Sequence, residues 1–99
     1  MSAIPCQSCG RDLGPVNRRK AFLAVFAQGD EEVRSWFFCE PCRMWTIHFL
    51  DDRFLGDTTT SLAGPFPEAS CAAEVALANT CPDPGDKWCK CPAHRKLEH

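Results

Sequence analysis

Two cysteine pairs with the same spacing, Cys6-Gln7-Ser8-Cys9 and Cys39-Glu40-Pro41-Cys42, constrain this chain more than any other feature. Two C-x-x-C pairs supply the four thiolates of a closed tetrahedral zinc site, and thiols three residues apart in a tight turn aim their sulfurs at one centre. Gly10 follows the first pair, where such a turn needs a positive φ that costs glycine nothing. Ile4 to Gly14 therefore reads as a zinc knuckle.

A chain of 99 residues buries only about two thirds of its unfolded surface, so cross-links weigh heavily in its stability. Its eight cysteines are either the disulfides of an exported chain or the metal ligands of a cytosolic one. Met1 to Cys6 has neither the basic n-region nor the apolar h-region of a signal peptide. The expectation is reduced thiols in the cytoplasm. No apolar run approaches the ~18 residues of a membrane span. The formal charge is −2, and −1 once Glu98 is set aside with Leu97 and His99 as an expression-tag remnant (97–99), since one acid leaves. A balance so near zero excludes a general attraction to nucleic acid or anionic membrane.

Pro15 to Arg19 reads as a linker. From Ala21 to Phe26 the residues are β-prone, with Phe22, Ala24 and Phe26 on one face and Leu23 and Val25 on the other. Gln28 to Glu31 is turn chemistry, and Val33 to Phe38 returns as the second strand of a hairpin, with Trp36 and Phe38 on one side and Phe37 on the other. Apolar residues on both faces predict a sheet covered on both sides near the metal end.

Glu40 and Pro41 suit the first turn of a helix, and Met44, Ile47, Leu50, Phe54 and Leu55 form one stripe at helical period, so Arg43 to Leu55 is predicted helical. Trp45 and Phe49 fall on a second face that calls for another neighbour. The order is then knuckle, hairpin, third cysteine at a strand end and fourth in a helix start. It resembles the treble-clef zinc finger superfamily over residues 4–55. The resemblance implies one zinc held by Cys6, Cys9, Cys39 and Cys42 between knuckle and helix, and it implies no particular activity. The 29 residues between Cys9 and Cys39 exceed the roughly 15 to 20 of a compact four-cysteine motif, an excess that the hairpin and its leading loop absorb.

Residues 56–66 are polar and broken by Gly64 and Pro65, and read as an exposed connecting loop. Pro67 then opens an alanine-rich helix, Glu68 to Asn79, whose small side chains allow close packing on Trp45 and Phe49. The tail from Cys81 is too rich in proline and glycine to order itself. It offers Cys81, Cys89, Cys91 and His94, with Cys71 as a fifth candidate. In a continuous helix Cys71 and Cys81 lie about 15 Å apart, too far to share one ion with ligands at ~2.3 Å. The preferred second site is therefore Cys81, Cys89, Cys91 and His94, with Cys71 a buried core thiol and alternative ligand.

The expected fold is a small metal-stabilised α+β domain over residues 1–96. It comprises a treble-clef-like module (4–55), the connecting loop, and a helix with a second metal-binding tail (67–96), and it holds two Zn2+ per chain. His48 reads as a helix-face histidine hydrogen-bonded near the surface, and Trp88 as a cover for the second site. Both sites have four protein ligands and no open position, which favours structural zinc. The leading function is thus an interaction module that binds a protein partner. Nucleic acid is the second class, on Arg11 and the cluster Arg18-Arg19-Lys20 alone, against the acidic stretches Asp30 to Glu32 and Asp51-Asp52. The alternative is a thiol-based metal-handling or redox protein using Cys71 or the pair Cys89-x-Cys91. A hydrolytic zinc enzyme is disfavoured: there is no H-E-x-x-H, no deaminase signature and no tyrosine.

Overall fold

The computed structural model describes residues 3–15, 18–27, 30–52, 58–86, 89 and 91–97. In chain order these contain β1 (Ala21–Ala27), β2 (Asp30–Cys39), β3 (Met44–Asp52), β4 (Thr58–Pro67), α1 (Glu68–Asn79) and α2 (Pro92–Leu97). The strands form one antiparallel sheet in the order β1-β2-β3-β4, and both helices contribute to the core on one of its faces. The fold is a small α+β arrangement.

The β1–β2 hairpin pairs Ala21 with Trp36 and Val25 with Glu32; positions 28 and 29 of its turn lie outside the described residues. Strand period 2 puts Ala21, Leu23, Val25 and Trp36 on one face, where they are buried with Trp45, Ile47, Cys71, Ala78, Cys81 and Ala93. On the opposite face Ser35, Phe37 and Thr46 are also buried. There the N-terminal knuckle reaches the sheet, with the Gln7 N–H donating to Thr46 Oγ1 at 3.1 Å.

The segment predicted as a helix, Arg43 to Leu55, is instead β3 over Met44–Asp52; positions 53–57 lie outside the described residues. The same residues satisfy both periods: Met44, Ile47 and Leu50 recur at helical spacing, but Trp45, Ile47 and Phe49 alternate at strand spacing. Pairing with β2 on one side and β4 on the other decides between them, in a run whose Trp, Thr, Ile and Phe favour a pleated surface. The helix that a treble clef places after its second cysteine pair is therefore replaced by a strand, and Cys39 to Arg43 is a turn between two strands.

The predicted connecting loop is β4 from Thr58 onward. Its Thr58 to Ala63 run is β-competent although largely exposed, and its Gly64 sits where the β3–β4 register shifts between Trp45 and Ile47. A Cβ at Gly64, φ +130°, would stand 2.8 Å from the Trp45 carbonyl oxygen, so the glycine permits the close approach. β4 runs directly into α1, where the Trp45 indole N–H donates to the Glu68 carbonyl at 3.0 Å. The tail, expected without regular structure, ends in the short helix α2, which opens on Pro92, a residue suited to a first helical turn. Among the described residues no helix is long and apolar enough to cross a membrane.

Candidate metal centres

The two C-x-x-C segments fold into matching turns. The Gly10 N–H donates to the Cys6 carbonyl at 2.9 Å, and the Arg43 N–H donates to the Cys39 carbonyl at 2.8 Å. The donating residue has positive φ in both, +79° at Gly10 and +56° at Arg43. Glycine adopts that conformation freely, whereas arginine bears a steric cost that its surroundings must offset. Arg43 Nη2 lies 2.6 and 2.8 Å from the two carboxylate oxygens of Glu68, and its guanidinium lies 5.4 Å from the centre of the Phe38 ring. The first pair is fixed by its own small hairpin, in which Ile4 and Leu13 exchange backbone bonds with Gly14 and Ile4 at 2.9 and 2.8 Å.

The turns bring Cys6, Cys9, Cys39 and Cys42 together, their sulfurs all within 4.8 Å of one another. Cys6 and Cys39 are buried, Cys42 half-buried and Cys9 exposed. Burial pushes the Cys6 thiol up, but the N–H groups of Cys9 and Ser8 aimed at its sulfur outweigh that and hold it at about 7. Cys42 is pushed up to about 12, chiefly by the neighbouring Cys9 sulfur. Four sulfurs this close cannot all ionise without a cation among them.

The second group is Cys81, Cys89, Cys91 and His94, again within 4.8 Å of one another. Cys81 follows the end of α1, where the Thr80 and Cys81 N–H groups close the last turn onto Leu77 and Ala78. Cys91 precedes α2 and His94 lies within it. His94 Nδ1 sits 3.4 Å from the Cys81 sulfur and 3.3 Å from that of Cys91. Its Nε2 lies 2.8 Å from the Ala24 carbonyl oxygen. A carbonyl only accepts, so Nε2 carries the proton and Nδ1 presents a lone pair to the sulfurs. Burial pushes Cys81 up to about 12, while Cys91 is lowered to about 6 against the effect of burial, with the backbone N–H of His94 aimed at its sulfur.

Cys71 is left out of both groups. It is buried on the inner face of α1, its sulfur 3.8 Å from Ser70 Oγ, and burial pushes its pKa up. His48 also joins neither group. It stands opposite Ser35 and Leu62 on the sheet face away from the helices, and its Nδ1 is buried without a hydrogen-bond partner among the described residues. In the basic cluster, Arg19 Nη1 donates to Ser35 Oγ at 3.3 Å and its guanidinium lies 3.6 Å over the Phe22 ring, while Arg11, Arg18 and Lys20 are exposed. Trp88 lies outside the described residues. Two supports escaped the sequence reading, Thr46 Oγ1 under the knuckle and the Ala24 carbonyl behind His94. No spacing rule points to a backbone carbonyl 70 positions away, but Arg43 occupies the place after C-x-x-C that Gly10 occupies, and that parallel was visible.

The eight grouped side chains, seven cysteines and one histidine, form two donor sets compatible with metal ions. In comparisons with known proteins, no family model, no curated protein and no solved structure matches the chain.

Proposed function

We propose that this chain is a structural zinc protein, in which Cys6, Cys9, Cys39 and Cys42 hold one Zn2+ and Cys81, Cys89, Cys91 and His94 a second. The metals stabilise a small interaction module whose partner is a protein. The observation that carries the reading is the spacing of the donors. Around a tetrahedral zinc with thiolates at ~2.3 Å and an imidazole nitrogen at ~2.0 Å, neighbouring sulfurs stand about 3.8 Å apart and sulfur and nitrogen about 3.5 Å. Cys9 and Cys39 are 3.8 Å apart, Cys81 and Cys89 3.7 Å, and His94 Nδ1 lies 3.4 and 3.3 Å from its two sulfurs.

The surroundings of His94 support it. Histidine ligands donate their other ring N–H to a carbonyl or carboxylate, which fixes tautomer and ring orientation, and His94 has the Ala24 carbonyl in that place. Four protein donors in each set leave no position for a reacting water, the pattern of a structural ion. A formal charge of −2 favours protein over nucleic acid as partner.

Elemental analysis of the purified protein tests this. The expected result is two zinc ions per chain, with chelation unfolding the protein as the metal leaves. Iron in place of zinc, or a chain that keeps its fold with both sites stripped, would overturn it. Loss of the second ion alone with the fold intact would favour metal handling, for which the half-buried Cys89 and Cys91 are accessible.

A further inference from the structure

The two edges of the sheet differ. Along β1 the Ala24 N–H donates to the Pro84 carbonyl at 2.7 Å and the Ala24 carbonyl accepts from His94 Nε2 at 2.8 Å, so the tail closes that edge. Along β4, Thr58 to Leu62 are exposed, and β3 is the only described strand that pairs with it. An open edge offers its outward N–H and C=O groups to any other strand, and chains blunt such edges with charge, proline or a covering segment. Thr58 to Ala63 has no charge and no proline.

That composition is unusual within this chain. Charged residues make up 24 % of it; β2 carries Asp30, Glu31, Glu32 and Arg34, and β3 carries Asp51 and Asp52. β4 carries none, a trait it shares with β1, and β1 is the edge that the tail covers. The uncharged edge with a cover sets the expectation for the uncharged edge without one.

We propose that β4 pairs with β4 of a second copy of this chain, antiparallel over Thr59 to Ala63, joining two four-stranded sheets into one of eight strands. A two-fold axis at Ser61 sets Leu62, at 36 % the exposed large apolar side chain among the described residues, opposite Thr60 of the partner subunit on the same face. No like charges meet, because the strand has none. The pairing stops at Pro65, which has no N–H to give. Edges that bind an unrelated extended peptide grip alternate side chains in pockets, whereas short threonine and serine side chains make a flat edge that fits its own copy. The pairing rests on the metal-stabilised fold proposed above and names its protein partner.

Sedimentation equilibrium of the zinc-loaded protein from about 1 µM to about 1 mM covers the range of a small, weak interface. Wild type, Ser61→Lys, Ser61→Glu and an equimolar mixture of the two variants are compared, with zinc content and far-UV circular dichroism read on each sample. The wild type should dimerise, each variant should weaken the dimer by about fivefold because like charges face each other across the axis, and the mixture should recover it. A wild type that stays monomeric throughout, including one that takes up an extended peptide instead, overturns the proposal, as does a dimer that both variants leave unchanged. Zinc content is read independently, so a shortfall there counts against the metal reading, while sedimentation decides the pairing.

Discussion

His94 donates from Nε2 to the carbonyl oxygen of Ala24 at 2.8 Å, a bond between residues 70 positions apart that joins the second donor group to the outer edge of β1. The Pro84 carbonyl takes the Ala24 N–H beside it at 2.7 Å. A proline-rich tail is thus fastened to the sheet at one residue's two backbone groups, and the histidine that fastens it also faces three sulfurs. The second donor set and the protection of that edge depend on the same side chain.

The consequence is a split phenotype for His94→Ala. The variant should lose one zinc per chain, and the Ala24 amide should exchange faster with solvent as the tail releases the edge. The first centre and the β2–β3 amides should be unaffected. Cys71→Ser is the matched control and should retain both metals, because Cys71 belongs to neither group. Loss of zinc in Cys71→Ser with His94→Ala unchanged would reassign the ligand.

Cys39→Ser probes the other centre. Cys39 ends β2 and lies in the turn leading to β3, so its loss should remove one zinc and loosen the turn and the knuckle that rests on Thr46. The expected result is a thermal midpoint lower by more than about 10 °C, a large shift for a chain of this size. A variant with one zinc and an unchanged midpoint would show that the first centre does not hold the sheet together.

Much of the grouping of the candidate donors was legible in the sequence and less of the fold. The donor groups depend on residue type and short spacing, and the helix argument that kept Cys71 from Cys81 needed only the rise per residue. α1 was also legible, since Pro67 opens it and alanine fills it. β3 was not, because Met44, Ile47 and Leu50 are as periodic for a helix as Trp45, Ile47 and Phe49 are for a strand. Only the neighbouring strands resolve that ambiguity, and one of them, β4, looked like a loop. Its threonines carry no apolar signal because the strand is exposed, and Gly64-Pro65, which suggested a break, lies within it at a shift in register.

Gly64 allows that shift, and Gly64→Ala should therefore destabilise the protein by about 1 to 3 kcal/mol. Its φ of +130° is unfavourable for alanine, and the new Cβ would meet the Trp45 carbonyl at 2.8 Å. Chemical denaturation gives the figure, with zinc content expected to stay at the wild-type level. A change of a few tenths of a kcal/mol would mean that β4 can move away from Trp45 at little cost.

His48 carries the pH prediction. Burial and then the nearby Arg19 charge push its pKa below the ordinary 6.5, so the folded protein holds a neutral imidazole where the unfolded chain takes up a proton. Where the unfolded state binds more protons, stability rises with pH. The contribution of His48 is therefore lost as pH falls from the ordinary imidazole value toward its lower folded value, and is flat above it. Zinc binding responds to acid as well, so the difference between wild type and His48→Gln isolates the effect. Melting profiles across roughly pH 5 to 7.5 should converge at the acid end as the wild type loses the advantage of its neutral ring, and the His48 ring signals should titrate below 6.5 by NMR. Two profiles that run parallel would show that His48 takes up its proton alike in the folded and unfolded chain, and a His48 that titrates above 6.5 would show that the fold favours the charged ring.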